Sequence, residues 1–569
     1  MEKSFQFLIF FLVIFGQNIW AGIPLAELSQ KTIQEDRDKI AIAKVECENL
    51  KIFGNLAHTT YTCGDDYFHF ESNTKQKPST QAVGNIKISN FNILHPGTSK
   101  TLFKDYKIVA KIVNRFDILS ANELLATVGS DASFNRTLMK FLNDGPLLIE
   151  KYQKEMNSAK TPRQTELKAK IKKLKEDLAL APSLYKVPGY YKLLKELRSL
   201  DASWSLVLSP RGDSLLLGSV EEYVGFFYRK SRVNLADNPY CTQKKSGSIS
   251  SACLITMRGD FGLGDIGATF SRRPMVASFT TGAMKFTYLS SHLVFNAYGD
   301  EQRMTELLNI AFGADSFEEI GAGINEENYA RWVEMSLIAK WMNGFKKKYP
   351  QEKLMFGGDT NLDPSLALWD KVLKSYHATE AVLGNTEKTT ISPRRYNSKK
   401  EETLGLANSY DHFLFKKSDF SNCKEAKSFN FLSNEISQQI KDKYFVRDDL
   451  NLIQEQSQYH SELLNSQPAD GSDEDTDPVD TGDIQLDYKL TRQNEKKMNV
   501  LLDSYQTDLE KDFLIRNNEL IIDEAKNAEK LEAYKVRVFM KQLTNLNFYK
   551  VYQEVISDHL PIYMDCTVN

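Results

Sequence analysis

Six short segments of the 569-residue chain place ionisable or amide side chains directly beside apolar, strand-like runs. The polar positions are Asn92, Asn122 with Glu123, His292, Asp359 with Asn361, Asp411, and Asp558 with His559. One such residue is ordinarily a cap or turn former, because short polar side chains bond to nearby backbone groups. Six recurrences instead indicate a single polar edge to which several strands contribute.

The residue types at these positions favour one kind of chemistry. Carboxylate and amide oxygens are suitable ligands for a hard cation such as Mg²⁺. His292 and His559 beside such a site are suited to proton transfer, and each needs a carboxylate to fix its tautomer. Asp411 and the adjacent Glu221 and Glu222 are available for that role. Because the sequence has no Gly-x-Ser-x-Gly motif, metal-assisted phosphodiester hydrolysis is favoured over acyl transfer.

The spacing of apolar residues predicts the elements that must position these groups. Residues 86–94 alternate as in a strand, and residues 106–116 have helical spacing. Further strand-like runs follow along the chain, with helical segments at 301–312 and 327–347 between the later ones. Strands that alternate with helices are typical of a layered α/β fold.

Two stretches interrupt this pattern. Residues 146–199 contain TPRQTELKAKIKKLKEDL, whose leucine and isoleucine spacing predicts an amphipathic helix with a lysine-rich solvent face. Residues 424–548 are predicted to form a helical arm, which is a candidate surface for a protein partner. Its tip, residues 467–483, has seven acidic residues and no basic one, a composition typical of disorder.

The beginning of the chain and the cysteines predict export. Residues 1–21 combine an early lysine with a short apolar run, as in a cleaved signal peptide, and residues 22–84 form a leader segment of unassigned role. Six cysteines fit an oxidising compartment. Their positions favour the pairs Cys47–Cys63, Cys241–Cys253 and Cys423–Cys566, with other connectivities open. We therefore expect a secreted or periplasmic protein without stable membrane insertion.

The charge distribution is compatible with a polyanionic partner. The chain has a formal charge of −3, and removing the seven acids of residues 467–483 leaves +4 for the remainder. A mildly basic body favours contact with a polyanion such as nucleic acid, although this signal is weak by itself.

Eight segments are similar, in the same order, to motifs of the endonuclease/exonuclease/phosphatase superfamily, and most closely to its secreted deoxyribonuclease I-like nucleases. They are FNILHPGTSK, FDILSANELL, EEYVGFFYR, FSRRPMVASF, YLSSHL, GGDTN, SYDHFLF and ISDHLPI. Any one of them alone is a weak signal, whereas the ordered set is specific. The resemblance implies a catalytic domain over residues 85–567, built as a four-layer α/β sandwich. Two mostly antiparallel β-sheets would pack face to face with helices outside, and residues 146–199 and 424–548 would be insertions.

The resemblance also implies roles for individual residues. Glu123 would be the principal metal ligand, with Asn92 and Asp558 completing the site. Asp359 and Asn361 would hold the metal-bound water or the scissile phosphate. The general acid and base would be His292, paired with Glu221 or Glu222, and His559, paired with Asp411. Arg272 would grip the substrate backbone, and the cofactor would be Mg²⁺, with Mn²⁺ or Ca²⁺ as alternatives.

These features lead to a primary functional hypothesis and two alternatives. The primary one is a secreted, metal-dependent, non-specific DNA endonuclease whose substrate is double-stranded DNA. The sequence departs from the nuclease branch at Asn122 and Leu125, where the branch has Gln and a groove-reading Arg. The first alternative is a sphingomyelinase-like or phosphoinositide-directed lipid phosphoesterase. The second is an inactive binding module on the same scaffold.

Overall fold

The computed structural model describes residues 40–74, 84–96, 104–127, 129–210, 222–244, 249–295, 301–393, 403–444 and 549–568. The predicted signal peptide, the acidic segment 467–483 and the predicted arm beyond residue 444 lie outside these residues. Glu221, one of the two glutamates expected to pair with His292, also lies outside them.

In the part of the chain that the structure describes, the first of two sheets has eight strands in the order β1-β2-β5-β6-β4-β3-β15-β14. Their bounds are β1 Thr59–Cys63, β2 Phe68–Ser72, β3 Gly84–Asn92, β4 Ile118–Leu125, β5 Trp204–Leu208, β6 Glu222–Arg229, β14 Lys427–Ser428 and β15 Ile562–Val568. Only β3 and β4 run parallel in it; the other neighbouring pairs are antiparallel.

The second sheet follows the order β12-β13-β11-β10-β9-β7, and β8 also pairs with β9. Its strands are β7 Asn234–Ala236, β8 Ala252–Leu254, β9 Met275–Thr281, β10 Met284–His292, β11 Lys353–Asp359, β12 Ala381–Gly384 and β13 Asp411–Lys416. Here β10 and β11 are the parallel pair, and the others are antiparallel. Both sheets are therefore mostly antiparallel, as predicted.

The two sheets pack face to face over an apolar layer to which both contribute. Ile88 and Phe226 from the first sheet meet Tyr288 and Phe413 from the second, and all four are buried. The Tyr288 hydroxyl donates a hydrogen bond of 2.9 Å to the Ser89 carbonyl, which joins the sheets through their shared core. Alternate residues of each strand point into this layer, as expected for a sandwich.

Helices cover both outer faces. On the first sheet they are Tyr106–Val113, Gly129–Ser158, Thr161–Leu180, Gly189–Leu200, Glu435–Tyr444, Lys550–Val555 and a helix described over residues 40–53. On the second sheet they are Pro239–Lys244, Glu301–Phe312, Phe317–Ile320, Tyr329–Lys348 and Leu368–Tyr376. Sheet and helix layers bury separate apolar clusters on each side. The predicted four-layer α/β sandwich is confirmed.

The segment predicted as a leader is part of the first sheet. The strands β1 and β2 form a hairpin, and β2 pairs with β5 of the sheet. A disulfide between Cys47 and Cys63 ties the hairpin to the helix at 40–53. The other two disulfides, Cys241–Cys253 and Cys423–Cys566, complete the predicted set, so the pairing is confirmed.

The first predicted insertion is helical, but its helices start earlier than expected. Helix Gly129–Ser158 begins well before residue 146 and carries Pro146 in its interior. In helix Thr161–Leu180 the predicted apolar stripe is buried at Leu167, Ile171 and Leu174. Within the described residues, none of the helices has both the length and the apolar character required to cross a bilayer.

Candidate active site

Five strand termini bring the predicted polar residues to one edge of the sandwich. In the second sheet β10 and β11 are parallel, so His292 and Asp359 end them side by side. The antiparallel strand β13 starts at the same edge, with Asp411 opposite Asp359. In the first sheet β3 and β4 are parallel and end near Asn92 and Glu123. Residues from both sheets therefore contribute to one site.

Glu123 enters the site through an irregularity in β4. The pairing register with β6 shifts between Ala121 and Leu124, and Glu123 adopts a left-handed backbone with φ of 58°. A bulge of this kind re-aims one side chain without ending the strand. Asn92 then binds both carboxylates: its Nδ2 donates to Glu123 Oε1 at 2.7 Å and to Asp359 Oδ2 at 3.0 Å.

Each predicted catalytic histidine is held at Nδ1 by a buried carboxylate. His559 Nδ1 lies 2.7 Å from Asp411 Oδ2, and His292 Nδ1 lies 3.1 Å from Glu222 Oε2. Their Nε2 atoms converge on Asp359 Oδ2, at 3.4 Å from His559 and 3.7 Å from His292. The Nε2 atoms of the two imidazoles thus face one small volume beside Glu123.

The buried charges set the ionisation of these groups. Burial opposes protonation of His559, but the charges of Asp411 and Asp359 outweigh it and hold the pKa of His559 well above its ordinary value. Burial and Arg272 likewise oppose protonation of His292, yet Glu222 raises its pKa. The surrounding carboxylates therefore favour the protonated form of both imidazoles.

The pKa of Glu123 is displaced in the opposite direction. Burial favours its neutral form, but a hydrogen bond from His95 and the charge of His292 outweigh burial and lower the pKa of Glu123 to about 2. The site consequently holds Glu123 as a carboxylate at any physiological pH.

Arg272 is placed differently from the expectation that it grips substrate. Its Nε lies 2.5 Å from Glu222 Oε2, and an Nη donates to Glu222 Oε1 at 2.8 Å, so the pair is bidentate and buried. This geometry fixes the Glu222 carboxylate toward His292. The structure thus places Arg272 behind Glu222, where it orients a carboxylate.

Asp558 is placed differently from the other residues that were expected to bind the metal. Among the residues that the structure describes, two groupings have potential ligand atoms within 4.8 Å of one another: Glu123 with His292 and Asp359, and Asp359 with Asp411 and His559. Asp558, expected as a metal ligand, belongs to neither. Its charge instead helps to raise the pKa of His559.

Asn361 stands beside the site in a strained conformation. It has φ of 53°, and its Nδ2 donates to the Leu293 carbonyl at 3.2 Å. Its backbone N–H donates to Asp359 Oδ1 at 3.0 Å, which fixes that carboxylate. Left-handed residues other than glycine cluster at functional sites, because the surrounding structure must maintain them.

Two residues that the sequence analysis did not single out support the site. Glu334, buried on helix Tyr329–Lys348, accepts backbone hydrogen bonds from Ser271 at 2.6 Å and Val294 at 2.8 Å. It thereby ties the loop before Arg272 to the loop after His292. Neither contact has a local sequence signal, since the helix is far from both loops along the chain.

The second missed residue, His95, touches the site directly. Its Nε2 lies 2.9 Å from Glu123 Oε2 and 3.4 Å from Glu222 Oε1. Burial opposes its protonation, but hydrogen bonds with the two carboxylates raise the pKa of His95 to about 10. The available signal was its place three residues after Asn92, within the FNILHPG segment.

The donor set fits a divalent cation. Glu123 Oε2 is buried and lies 2.9 Å from His95 Nε2, its ion-pair partner in the structure. Asp359 and Asn92 add a carboxylate and an amide within the same cluster. Hard cations take oxygen ligands of this kind.

Comparisons with known proteins found only weak similarities to solved structures. No protein-family model matches the sequence, and no curated protein matches it. A truncated TDP2 from Caenorhabditis elegans shares 12% identity over 60% of this chain and 88% of its own, with a TM-score of 0.28. An endonuclease/exonuclease/phosphatase family protein from Bacteroides thetaiotaomicron shares 9% over 61% and 87%, with a TM-score of 0.29. A beta toxin from Staphylococcus aureus shares 11% over 60% and 89%, with a TM-score of 0.27. Scores this low assign the chain to no family.

Proposed function

We propose that this protein is a secreted, metal-dependent phosphodiesterase that hydrolyses the backbone of nucleic acid, with double-stranded DNA as its principal substrate. The observation that carries the proposal is the convergence of His292 and His559 on Asp359, each with its Nδ1 held by a buried carboxylate. Two fixed imidazoles facing one volume are suited to add a proton on one side of a phosphorus atom and remove one on the other.

The proposed reaction is in-line attack of water on phosphorus. One imidazole takes the proton of the attacking water, and the other donates a proton to the leaving oxygen. Asp411 and Glu222 keep each ring in a single orientation and stabilise its charged form. Asn361 and Asn92 position the central carboxylates, and Arg272 holds Glu222.

Glu123, Asp359 and Asn92 would hold the cation, for which Mg²⁺ is the proposed ion. Bound by these residues, a divalent cation would stabilise the negative charge that develops on the phosphate and would lower the pKa of the neighbouring imidazoles by repulsion. Asp558 is retained as a supporting charge near His559.

An exposed aromatic side chain favours nucleic acid among the possible phosphodiesters. Phe295 follows the His292 strand, and the residue is 54% exposed. The Arg331 guanidinium lies 4.3 Å from the ring centroid and also donates to the Asn361 carbonyl at 2.9 Å. A ring supported in this way beside the cleavage point is suited to stack on a nucleobase.

Two further features support the proposal that the protein is exported. Residues 1–21 have the composition of a cleaved signal peptide. The three disulfides are compatible with an oxidising compartment. Mass spectrometry of the protein purified from culture medium would give the mature N-terminus, which we expect near residue 22.

A substrate panel tests the proposed function. Purified protein is incubated with supercoiled plasmid, RNA, sphingomyelin and phosphoinositides, each with Mg²⁺ and with chelator. We expect plasmid nicking that the chelator abolishes. Turnover of a lipid with intact plasmid would assign the lipid alternative. Tight nucleic-acid or protein binding without any cleavage would assign the binding module.

A further inference from the structure

Arg331 joins the loops that follow two strands of the site, β10 and β11. Its Nε and one Nη donate to the Phe295 carbonyl at 2.9 and 2.7 Å. The other Nη donates to the Asn361 carbonyl at 2.9 Å. Phe295 comes three residues after His292, and Asn361 comes two residues after Asp359. The guanidinium is therefore held at the same edge of the sandwich as the candidate active site.

The Arg331 guanidinium retains donors that the protein does not use. A guanidinium carries five N–H groups and accepts no hydrogen bond. Three of these groups bond to the two carbonyls, which leaves one N–H on each Nη atom. The bonds to the Phe295 carbonyl lie at the surface, and Arg331 is only half-buried. A ligand from solvent can therefore reach the remaining donors.

The charge of Arg331 also lacks a direct counter-charge. Among the residues that the structure describes, no carboxylate lies within ion-pairing distance of its nitrogens. Burial lowers the pKa of Arg331, and the nearby Tyr410, Asp359 and Glu327 oppose this shift. Because a guanidinium stays charged in proteins, the ligand that suits these two donors is an anion.

Arg272, the cation expected to grip the substrate, is already paired. Its guanidinium contacts both oxygens of Glu222, at 2.5 and 2.8 Å. Arg331 has only neutral carbonyls as hydrogen-bond acceptors. Of these two arginines beside the site, Arg331 is thus the one whose charge is available to a substrate phosphate.

The ring of Phe295 indicates which phosphate Arg331 would contact. The guanidinium lies over this ring, 4.3 Å from its centroid, and Phe295 is 54% exposed. A base that stacks on the exposed side of the ring brings the phosphate of its own nucleotide close to the guanidinium. That phosphate is a neighbour of the one at the reacting centre, since Arg331 bonds to the loop of Asn361.

We propose that Arg331 binds the phosphate next to the scissile one in a nucleic acid strand, and that it forms a subsite for one nucleotide together with Phe295. The inference rests on the proposed function, because it takes the bound phosphodiester to be nucleic acid. The planar fork of an arginine matches two phosphate oxygens, which makes the contact directional as well as electrostatic. Such a contact positions the strand without reading its sequence.

The salt dependence of oligonucleotide binding tests this proposal without catalysis. A single-stranded oligonucleotide is titrated by fluorescence with Mg²⁺ at several salt concentrations, and all proteins carry His559→Ala to suppress cleavage. Each phosphate contact that is lost lowers the slope of log affinity against log salt by about 0.7 for a single strand. We expect this decrease, with binding about tenfold weaker, in Arg331→Gln. An unchanged slope in Arg331→Gln would overturn the proposal.

Arg198→Gln is the matched control for the loss of a charge and of backbone contacts. Arg198 also donates to two carbonyls, those of Trp204 at 2.8 Å and Phe70 at 3.1 Å. It lies at the end of β5 remote from the site, where Trp204 pairs with Arg229. We expect its slope to equal that of the unaltered arginines. An equal decrease in both variants would mean a general charge effect and would overturn the proposal.

Arg331→Lys separates phosphate binding from support of the loops. Lysine keeps the charge but loses the fork that holds the two carbonyls. We expect this variant to keep the salt slope while its affinity falls. A slope that decreases as far as in Arg331→Gln would mean that Arg331 acts only by holding the loops, and would overturn the proposal. Melting curves show whether each variant is folded at the titration temperature.

Failure of this inference and failure of the proposed function give different results. A decreased slope in Arg331→Gln, without cleavage of plasmid or RNA by the protein that retains His559, would support the subsite and reject the nuclease. Metal-dependent cleavage of nucleic acid, with an unchanged slope in Arg331→Gln, would do the reverse. Turnover of a lipid without any oligonucleotide binding would reject both.

Discussion

Replacing Asp411 with Asn should slow hydrolysis without unfolding the protein. Asp411 is fully buried, and its Oδ2 lies 2.7 Å from His559 Nδ1. A hydrogen bond to a charged group contributes about 1.5–3 kcal/mol, so its loss alone corresponds to a rate decrease of about ten- to a hundredfold. The asparagine amide can also donate to Nδ1, which would move the ring proton to Nε2. We therefore expect a decrease of at least about a hundredfold.

The assay is the initial rate of supercoiled plasmid nicking with Mg²⁺, measured for Asp411→Asn and for a matched control. Asp419→Asn is that control, because Asp419 is also a largely buried aspartate, paired with Lys346 at 2.9 Å away from the site. Both variants should lose some stability, but only Asp411→Asn should lose activity. A rate within about threefold of the unaltered protein for Asp411→Asn would refute the assigned role of the pair.

Three further predictions concern stability and substrate contact. Burial raises the pKa of Glu334 from 4.5 to about 7, so the folded state binds this proton more tightly than the unfolded state and loses stability as pH rises through that interval. The melting temperature of Glu334→Gln relative to the unaltered protein should therefore increase between pH 5 and pH 8, and a constant difference would contradict the assignment. Phe295→Ala should weaken single-stranded oligonucleotide binding by about 1–3 kcal/mol in fluorescence titrations while leaving hydrolysis of a small phosphodiester unchanged, whereas equal loss on both substrates would reject base stacking. Replacing Cys423 and Cys566 together with Ser should cost about 2–5 kcal/mol of unfolding free energy by calorimetry, because the disulfide closes a loop of sequence separation 143, and an unchanged melting temperature would count against that stabilisation.

The sequence predicted the parts of the site that lie at strand ends. Strand periodicity and parallel pairing are local and sheet-level properties, so the positions of His292, Asp359 and Asp411 could be anticipated from apolar runs that end on polar groups. The disulfide pairing that the cysteine positions favoured is also confirmed.

Other features depend on tertiary placement, which local sequence patterns do not specify. Glu222 reaches His292 because β6 presents it beside the bulge in β4. Arg272 turns to Glu222 since a buried carboxylate there must be paired. The return of His95 depends on two left-handed residues in a loop, which composition does not specify.

The integration of residues 59–72 into the first sheet was also not predicted. Both strands are short, and the pairing of β2 with β5 joins segments more than 130 residues apart along the chain. Pairing over such distances is decided by the packing of side chains on the sheet, including Phe70 against Tyr191.

The most direct test of the central claim is the rate of plasmid nicking by the unaltered protein, His292→Ala and His559→Ala, each with and without chelator. The two histidines are proposed to act as one acid and base pair around Asp359. We predict metal-dependent nicking by the unaltered protein and a loss of at least about a hundredfold in each variant. Nicking that survives either substitution would contradict the account.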